Sequence, residues 1–477
     1  MVFISLNFYI FILFALILYY VFPKKYRWIV LFLSNIAFYY AFFKDGWIVL
    51  IMTIVVNYAT GVILEKVKAS SEGNSNRSRI VLILGIMLCV MPWLFLKYIG
   101  LEKTPLFIVP IGISFYTMTS IAYIVDVYRG KIEAQKNIFK YALFISFFPH
   151  LLQGPIPRYE ELGGQLFCGN LFDEKKITKG VYLIIWGFFL KLLIADKAAV
   201  IVNTVFDNYT TYTGVYVWLA SVLYSIQLYA DFLACTTLAQ GVALLFGVSL
   251  TDNFARPYLA TSIGDFWRRW HISLSLWLKD YIYIPLGGNR KGKIRKYLNL
   301  ILTFIVSGIW HGVGMKFVFW GLMHGCYQVI GALTTGVREK VYVFLHVSED
   351  SSFKRRLKIF GTFIAVNTAW IIFRADSLKI GISMIVNATK LNPWVLFDDS
   401  IYKLGLPWKQ VIVLAIAIAV MIFISLRQER GEIITSTIMQ KNIVVRWCLI
   451  ILAVLVIVIF GTYGYGYDAQ NFIYGGF

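Results

Sequence analysis

Charge is what this sequence has least of. Of its 477 residues 15% are charged, where a soluble globular chain carries about 25%, and 25 acidic residues stand against 45 basic ones. Histidine and cysteine occur five times each. Cys89, Cys168, Cys235, Cys326 and Cys448 are scattered, with no CxxC or Cys/His spacing, so neither a disulfide framework nor a zinc site is legible. No Walker sequence, no GxGxxG behind a strand and no HExxH is present, which argues against a nucleotide hydrolase, a dinucleotide enzyme and a zincin. No metal and no bound cofactor is expected. The formal charge of +20 would suit nucleic acid in a soluble chain, but here the basic residues sit in short loops between apolar runs and set orientation instead.

Hydrophobic residues make up 59% of the chain. Apolar runs near span length cover residues 4–22, 28–43, 47–64, 80–96 and 106–127, then 181–195 and 215–250, and later 298–310, 317–332, 360–373, 411–426 and 444–460. Lipid offers no partner to backbone N–H and C=O groups, so such runs are helices or closed barrels, and they are too continuous for alternating barrel strands. An all-α polytopic membrane protein with roughly 11–13 membrane elements follows. Residues 141–152 form an apolar run half a span long, closed by Gln153-Gly154-Pro155-Ile156-Pro157-Arg158. That pattern predicts a re-entrant or broken helix. The chain divides into N-terminal transmembrane helices (1–140), a core (141–335) and C-terminal transmembrane helices (336–477) with an outer loop over 376–408.

Basic residues mark alternate loops: Lys24, Lys25 and Arg27, then Lys66, Lys68, Arg77 and Arg79, then Arg129, Lys131, Lys136 and Lys140. The positive-inside rule makes these cytoplasmic and puts the N-terminus outside. Arg427, Arg430, Lys441 and Arg446 place the tail from 461 onward outside as well. The first run lacks a basic flank and a small-residue cleavage site, so it reads as a retained span.

An ionisable group within the membrane is costly and is by default a candidate for function. His346 lies beside Ser348, Glu349 and Asp350 and reads as solvated; His150 closes the short broken helix, for bonding or for lining a path. His324, in the run 317–332, suits a hydrogen bond between helices. His311 follows an apolar stretch and is flanked by Gly308, Gly312 and Gly314, which let a helix or a substrate come close. Ser307 precedes it by four residues and shares its helix face if the helix persists that far. A buried histidine bonded to a carbonyl and a reactive one are both open at this point.

His271 lies within Asp265-Phe266-Trp267-Arg268-Arg269-Trp270-His271. At helical spacing Trp267, Trp270, His271 and Leu274 share one face, a pattern that an interfacial helix also shows. Downstream, Pro285-Leu286-Gly287-Gly288-Asn289-Arg290 makes a turn, followed by Lys291, Lys293, Arg295 and Lys296. Such a basic cluster can bind phosphate groups or simply fix topology. Asp231 is the only acid in 215–250; substrate contact, a bond between helices and proton relay are all open.

Taken together, these stretches resemble the membrane-bound O-acyltransferase (MBOAT) family, in its bacterial branch related to alginate O-acetylase. The match is dense from Asp252 to Gly325: Asn253-Phe254, Arg256-Pro257-Tyr258, DFWRRWHISLSLWLKDYIYIPLGGNR from Asp265, and SGIWHG ending at Gly312. Weaker echoes are Pro110-Ile111-Gly112-Ile113-Ser114-Phe115-Tyr116, Gly154-Pro155-Ile156-Pro157-Arg158-Tyr159, Phe373-Arg374-Ala375-Asp376-Ser377 and Phe472-Ile473-Tyr474. The resemblance implies a helical bundle around a central tunnel in a bacterial cell membrane. It implies acyl transfer at His311, with His271 a second active-site residue and Asp231, Trp267, Asn289, Ser307 and Trp310 lining substrate or tunnel. One departure stands out: where the family reads close to DFSGxxD, Asp231-Phe232 leads to Thr237, so no second carboxylate is carried over.

The reaction implied takes acetyl from a cytoplasmic thioester, acetyl-CoA or a related donor, toward hydroxyls of an extracytoplasmic polysaccharide, directly or through an extracytoplasmic acetyltransferase partner. Arg268, Arg290 and Lys291 would meet donor phosphates. Burial among Ile309, Trp310 and Phe317 favours the neutral imidazole that a base needs, and Asn289 and the Trp310 indole are candidate oxyanion donors. The rivals are D-alanyl transfer to teichoic acid, the chemistry of the sister branch, and a transporter or flippase whose histidines line a path. The absence of two equivalent halves speaks against the transporter.

Overall fold

A computed structural model of the chain describes residues 3–43, 46–70, 76–99, 110, 112–151, 154–348, 350–390 and 392–463. Ile111, Gln153, Glu349, the first residues of the 106–127 run and the 472–474 motif lie outside them. Among the described residues all regular structure is helical. Among the described residues six helices are long and apolar enough to cross a membrane: Trp47–Ser70, Asn76–Tyr98, Val215–Leu245, Ser352–Arg374, Trp408–Glu429 and Ile443–Phe460. The runs at 4–22, 28–43, 298–310 and 317–332 become the helices Leu6–Val21, Arg27–Phe42, Lys293–His311 and Met315–Leu333. The chain is a polytopic helical membrane protein.

By contacts it forms two units, one from Met1–Ile184 and Cys235–Asp252, the other from Ile185–Ala234 and Asn253–Ile473. In the first, the run 141–152 breaks as its Gly/Pro ending predicts: helix Ile138–Ser146 stops at Phe147 and a single turn, Phe148–Leu151, follows. Asn35 on the neighbouring Arg27–Phe42 helix satisfies the break, its Nδ2 donating to Ser146 Oγ (3.2 Å) and its Oδ1 accepting from the Phe148 amide (3.1 Å). A helix end inside the membrane needs such partners because no water supplies them. His150 Nε2–H donates to the Phe144 carbonyl at 3.1 Å, so of its two readings the bonded one is realised.

In the second unit, helices Lys293–His311 and Met315–Leu333 pack along their length as a hairpin. Glycine permits this. A Cβ on Gly308 would overlap the Phe317 carbonyl, one on Gly321 would overlap the Phe304 carbonyl, and one on Gly325 would stand 3.0 Å from Ile301 Cα. Backbone lies on backbone, the contact that small residues allow between membrane helices.

One local expectation changes. Residues 263–278 are not one helix: Ile263–Arg269 ends, Trp270 is extended, His271 takes φ +44°, and Ile272–Leu278 begins anew. All four residues expected on one face are nonetheless buried, because the break turns each of them inward. The stretch 376–408 carries the helix Leu378–Asn387 and two short turns, and it is tied to the start of the Val215–Leu245 helix. There Asn392 Oδ1 accepts from the Val215 amide (2.7 Å) and Trp218 Nε1–H donates to the Ala388 carbonyl (3.0 Å).

Gly321→Ala should force the hairpin apart and cost about 1–3 kcal/mol, the usual penalty of overpacking. A lowered melting temperature of the detergent-solubilised protein checks this; an unchanged one would contradict the close approach.

Candidate active site

His311 is the last residue of the Lys293–His311 helix and is 1% exposed. Extended Gly312 ends the helix there, and a side chain on it would overlap the Phe317 ring. Around the imidazole stand Trp310 (centroids 4.8 Å apart), Trp320 (5.0 Å) and Phe373 (5.5 Å), the last two edge-on from other helices. The helix does persist to His311, yet Ser307 Oγ makes no hydrogen bond among the described residues, so the bond anticipated between them is absent. The ring is turned into the Trp320 and Phe373 pocket instead.

His271 is fully buried. Its ring meets Phe232 edge-on at 4.8 Å and Trp310 at 5.9 Å. Trp310 therefore touches both imidazoles, and two histidines 40 positions apart share one wall. A third joins them, because Trp320 contacts Trp267 (5.7 Å), His311 (5.0 Å) and His324 (4.9 Å). Trp267 Nε1–H donates to His324 Nδ1 at 3.2 Å. An indole only donates, so His324 Nδ1 accepts and its proton sits on Nε2. That is the bond between helices expected of His324.

Beside this cluster lies a buried charge network. Lys191 Nζ is 2.7 Å from Asp231 Oδ1 and 2.9 Å from Asp196 Oδ1, with all three side chains 2% exposed. Of the readings open for Asp231, a bond between helices is made. Asp231 directly precedes Phe232, so the network holds the backbone from which Phe232 reaches His271. Lys191 went unnoticed in the sequence because it sits amid the apolar run 181–195. The available signal was its charge, since a lysine within a span must be paired.

Asn289, Arg290 and Lys291 are exposed on the turn before Lys293, which Asn299 pins by donating to the carbonyls of Leu286 (3.2 Å) and Gly288 (3.0 Å). The helix between that turn and His311 has 19 residues, so it rises roughly 27 Å. Asn289 is thus a helix length away from His311, and Trp310 is the candidate oxyanion donor that stays at its ring. Arg268 is exposed, with Asp265 at 3.7 Å, whereas Arg269 turns inward to Asp265 and Glu429. Glu429 is a further residue that sequence reasoning missed.

The family model that matches this chain is MBOAT, the membrane-bound O-acyltransferase family, over residues 35–347. The chain belongs to the membrane-bound O-acyltransferase family. All three clustered histidines of the acyltransferase lie within the match. Among curated proteins it is 37% identical to the probable alginate O-acetylase AlgI of Pseudomonas fluorescens, over 86% of this chain and 79% of that one. It is 33% identical to the peptidoglycan O-acetyltransferase of Helicobacter pylori, over 78% and 74%. The teichoic acid D-alanyltransferase of Bacillus subtilis is more distant, 29% identical over 46% of this chain and 58% of its own. The chain is a membrane O-acyltransferase, which removes the transporter reading.

Lys191→Met in this acyltransferase would leave two buried carboxylates without their cation. Breaking a buried pair from one side costs about 3–5 kcal/mol, so a large drop in melting temperature is expected. Stability equal to the parent would mean that the three groups are not buried together.

Proposed function

We propose that this acyltransferase moves acetyl from a cytoplasmic thioester to hydroxyls of an extracytoplasmic polysaccharide, with His311 as general base. The observation that carries the reading is the shared wall: His311 and His271 meet on Trp310, inside an aromatic cluster that excludes water. The acceptor oxygen attacks the thioester carbonyl and its proton passes to the neutral His311 imidazole. The carbon–sulfur bond then breaks, and the imidazolium returns the proton to the departing thiolate. The Trp310 indole N–H supports the developing oxyanion. His271, which also meets Trp310, orients the acceptor hydroxyl.

The Lys293–His311 helix separates two tasks. Arg290 and Lys291 at its basic end, with Arg268, meet the phosphates of a donor such as acetyl-CoA, and His311 at its far end meets the acyl group. Acetyl is favoured over D-alanyl because the more extensive likenesses are to an alginate and a peptidoglycan O-acetylating protein. Thr237 in place of a second aspartate leaves the helix of Asp231 with one carboxylate in this stretch. The orientation has the N-terminus outside a bacterial cell membrane, and delivery to the glycan is direct or through an extracytoplasmic acetyltransferase.

The full chain in proteoliposomes, given labelled acetyl-CoA outside and alginate oligosaccharide or peptidoglycan fragments inside, should transfer label. His311→Ala should reduce transfer at least about 100-fold while the protein still inserts. Parental activity in that variant overturns the base assignment. Transfer only from a D-alanyl carrier-protein thioester assigns the sister chemistry.

A further inference from the structure

His271 owes its place to an unfavourable backbone. With φ +44° it is in the left-handed region, which side chains other than glycine rarely adopt and which persists only where the surroundings over-determine it. A second such residue, Arg256 at φ +53°, lies on the neighbouring segment. The two segments are laced together beside these points. The Ala255 amide donates to the Arg269 carbonyl (2.9 Å), and the Ile272 amide donates to the Asn253 carbonyl (3.0 Å). Asn253 Oδ1 further accepts from the amide and hydroxyl of Ser273, at 3.0 and 2.9 Å.

Both segments also send an arginine to one carboxylate. Glu429 accepts from Arg256 Nε at 2.7 Å and from Arg269 Nη1 at 3.0 and 3.1 Å, and Arg355 is a third arginine, at 3.2 Å. Glu429 is the last residue of the Trp408–Glu429 helix, where the helix dipole disfavours an acid. A local rule broken this way is compensated elsewhere, here by the guanidinium groups. Without the carboxylate, Arg256 and Arg269 would face each other as like charges and push the two segments apart, with only Asp265 left on Arg269.

The geometry points to Glu429 as a positioning residue: it clasps Arg256 and Arg269 together and so holds His271 in its left-handed conformation against Trp310. This rests on the placement of His271 in the site. Glu429 touches no substrate in this scheme and acts through the backbone at 269–272. The C-terminal part of the chain, beyond the strongest sequence motifs, thereby contributes to the geometry of acyl transfer.

The test uses the full chain in detergent with labelled acetyl-CoA and alginate oligosaccharide. Glu429→Gln should lower kcat about 10- to 100-fold, the scale of a small displacement of a reacting group, with both KM values within about twofold of the parent. Glu429→Asp, which keeps the charge, should restore most of the loss, and it carries the same comparison if Glu429→Gln fails to accumulate in the membrane. Combined with His271→Ala, Glu429→Gln should cost nothing further. An additive loss in the double variant, a rise in KM without a fall in kcat, or no rescue by aspartate overturns the clasp. Full activity of His271→Ala alone instead removes His271 from the site, which is a failure of the functional reading and is seen separately.

Discussion

The approach of the Lys293–His311 helix to the Met315–Leu333 helix, backbone against backbone at Gly308, Gly321 and Gly325, sets where every other part of the site can be. Because these helices touch without side chains between them, Trp320 comes level with His311 and presents its edge at 5.0 Å. Trp320 also meets His324, one turn along its own helix, and Trp267, so one tryptophan links three elements. Gly312, with no room for a side chain beside Phe317, lets the chain leave the helix immediately after the imidazole. The histidine is thus held by packing in an aromatic environment.

Charges that the membrane would otherwise reject are handled in two ways. Lys191 is buried and neutralised by Asp231 and Asp196, a compact group on which Phe232 and then His271 depend. Glu429 is part-exposed and gathers arginines from three segments. Pairing is what makes either tolerable: an unpaired ion costs several kcal/mol on leaving water, and partners with hydrogen bonds return much of that. Both groups sit beside the segments that carry His271, so electrostatic neutralisation and alignment of the site are the same set of contacts.

Much of this was legible in the residues. Apolar runs announced the helices, the Gly and Pro that close the run 141–152 announced a broken helix, and the glycines around His311 announced a close approach. His324 was read as a bond between helices and is one, to Trp267. Other features were hidden for identifiable reasons. Periodicity over 263–278 cannot reveal a reversal at one residue, since a left-handed φ at a histidine is imposed by tertiary hydrogen bonds and contradicts local preference. Lys191 and Glu429 were passed over because their partners lie far away in sequence, 40 positions from Lys191 to Asp231 and 173 from Arg256 to Glu429.

Sequence by itself determined that this chain lives in a bilayer as helices, because lipid cannot satisfy backbone polar groups and apolar runs of span length admit no other solution. It also determined the family and the two histidines worth following, through an ordered set of short motifs. Tertiary structure alone decided that His271 and His311 share Trp310, that Ser307 does not bond His311, and that the Asn289 turn is a helix length away. Those are distances between elements, set by how closely helices pack and how buried charges pair, and no spacing along a chain encodes them.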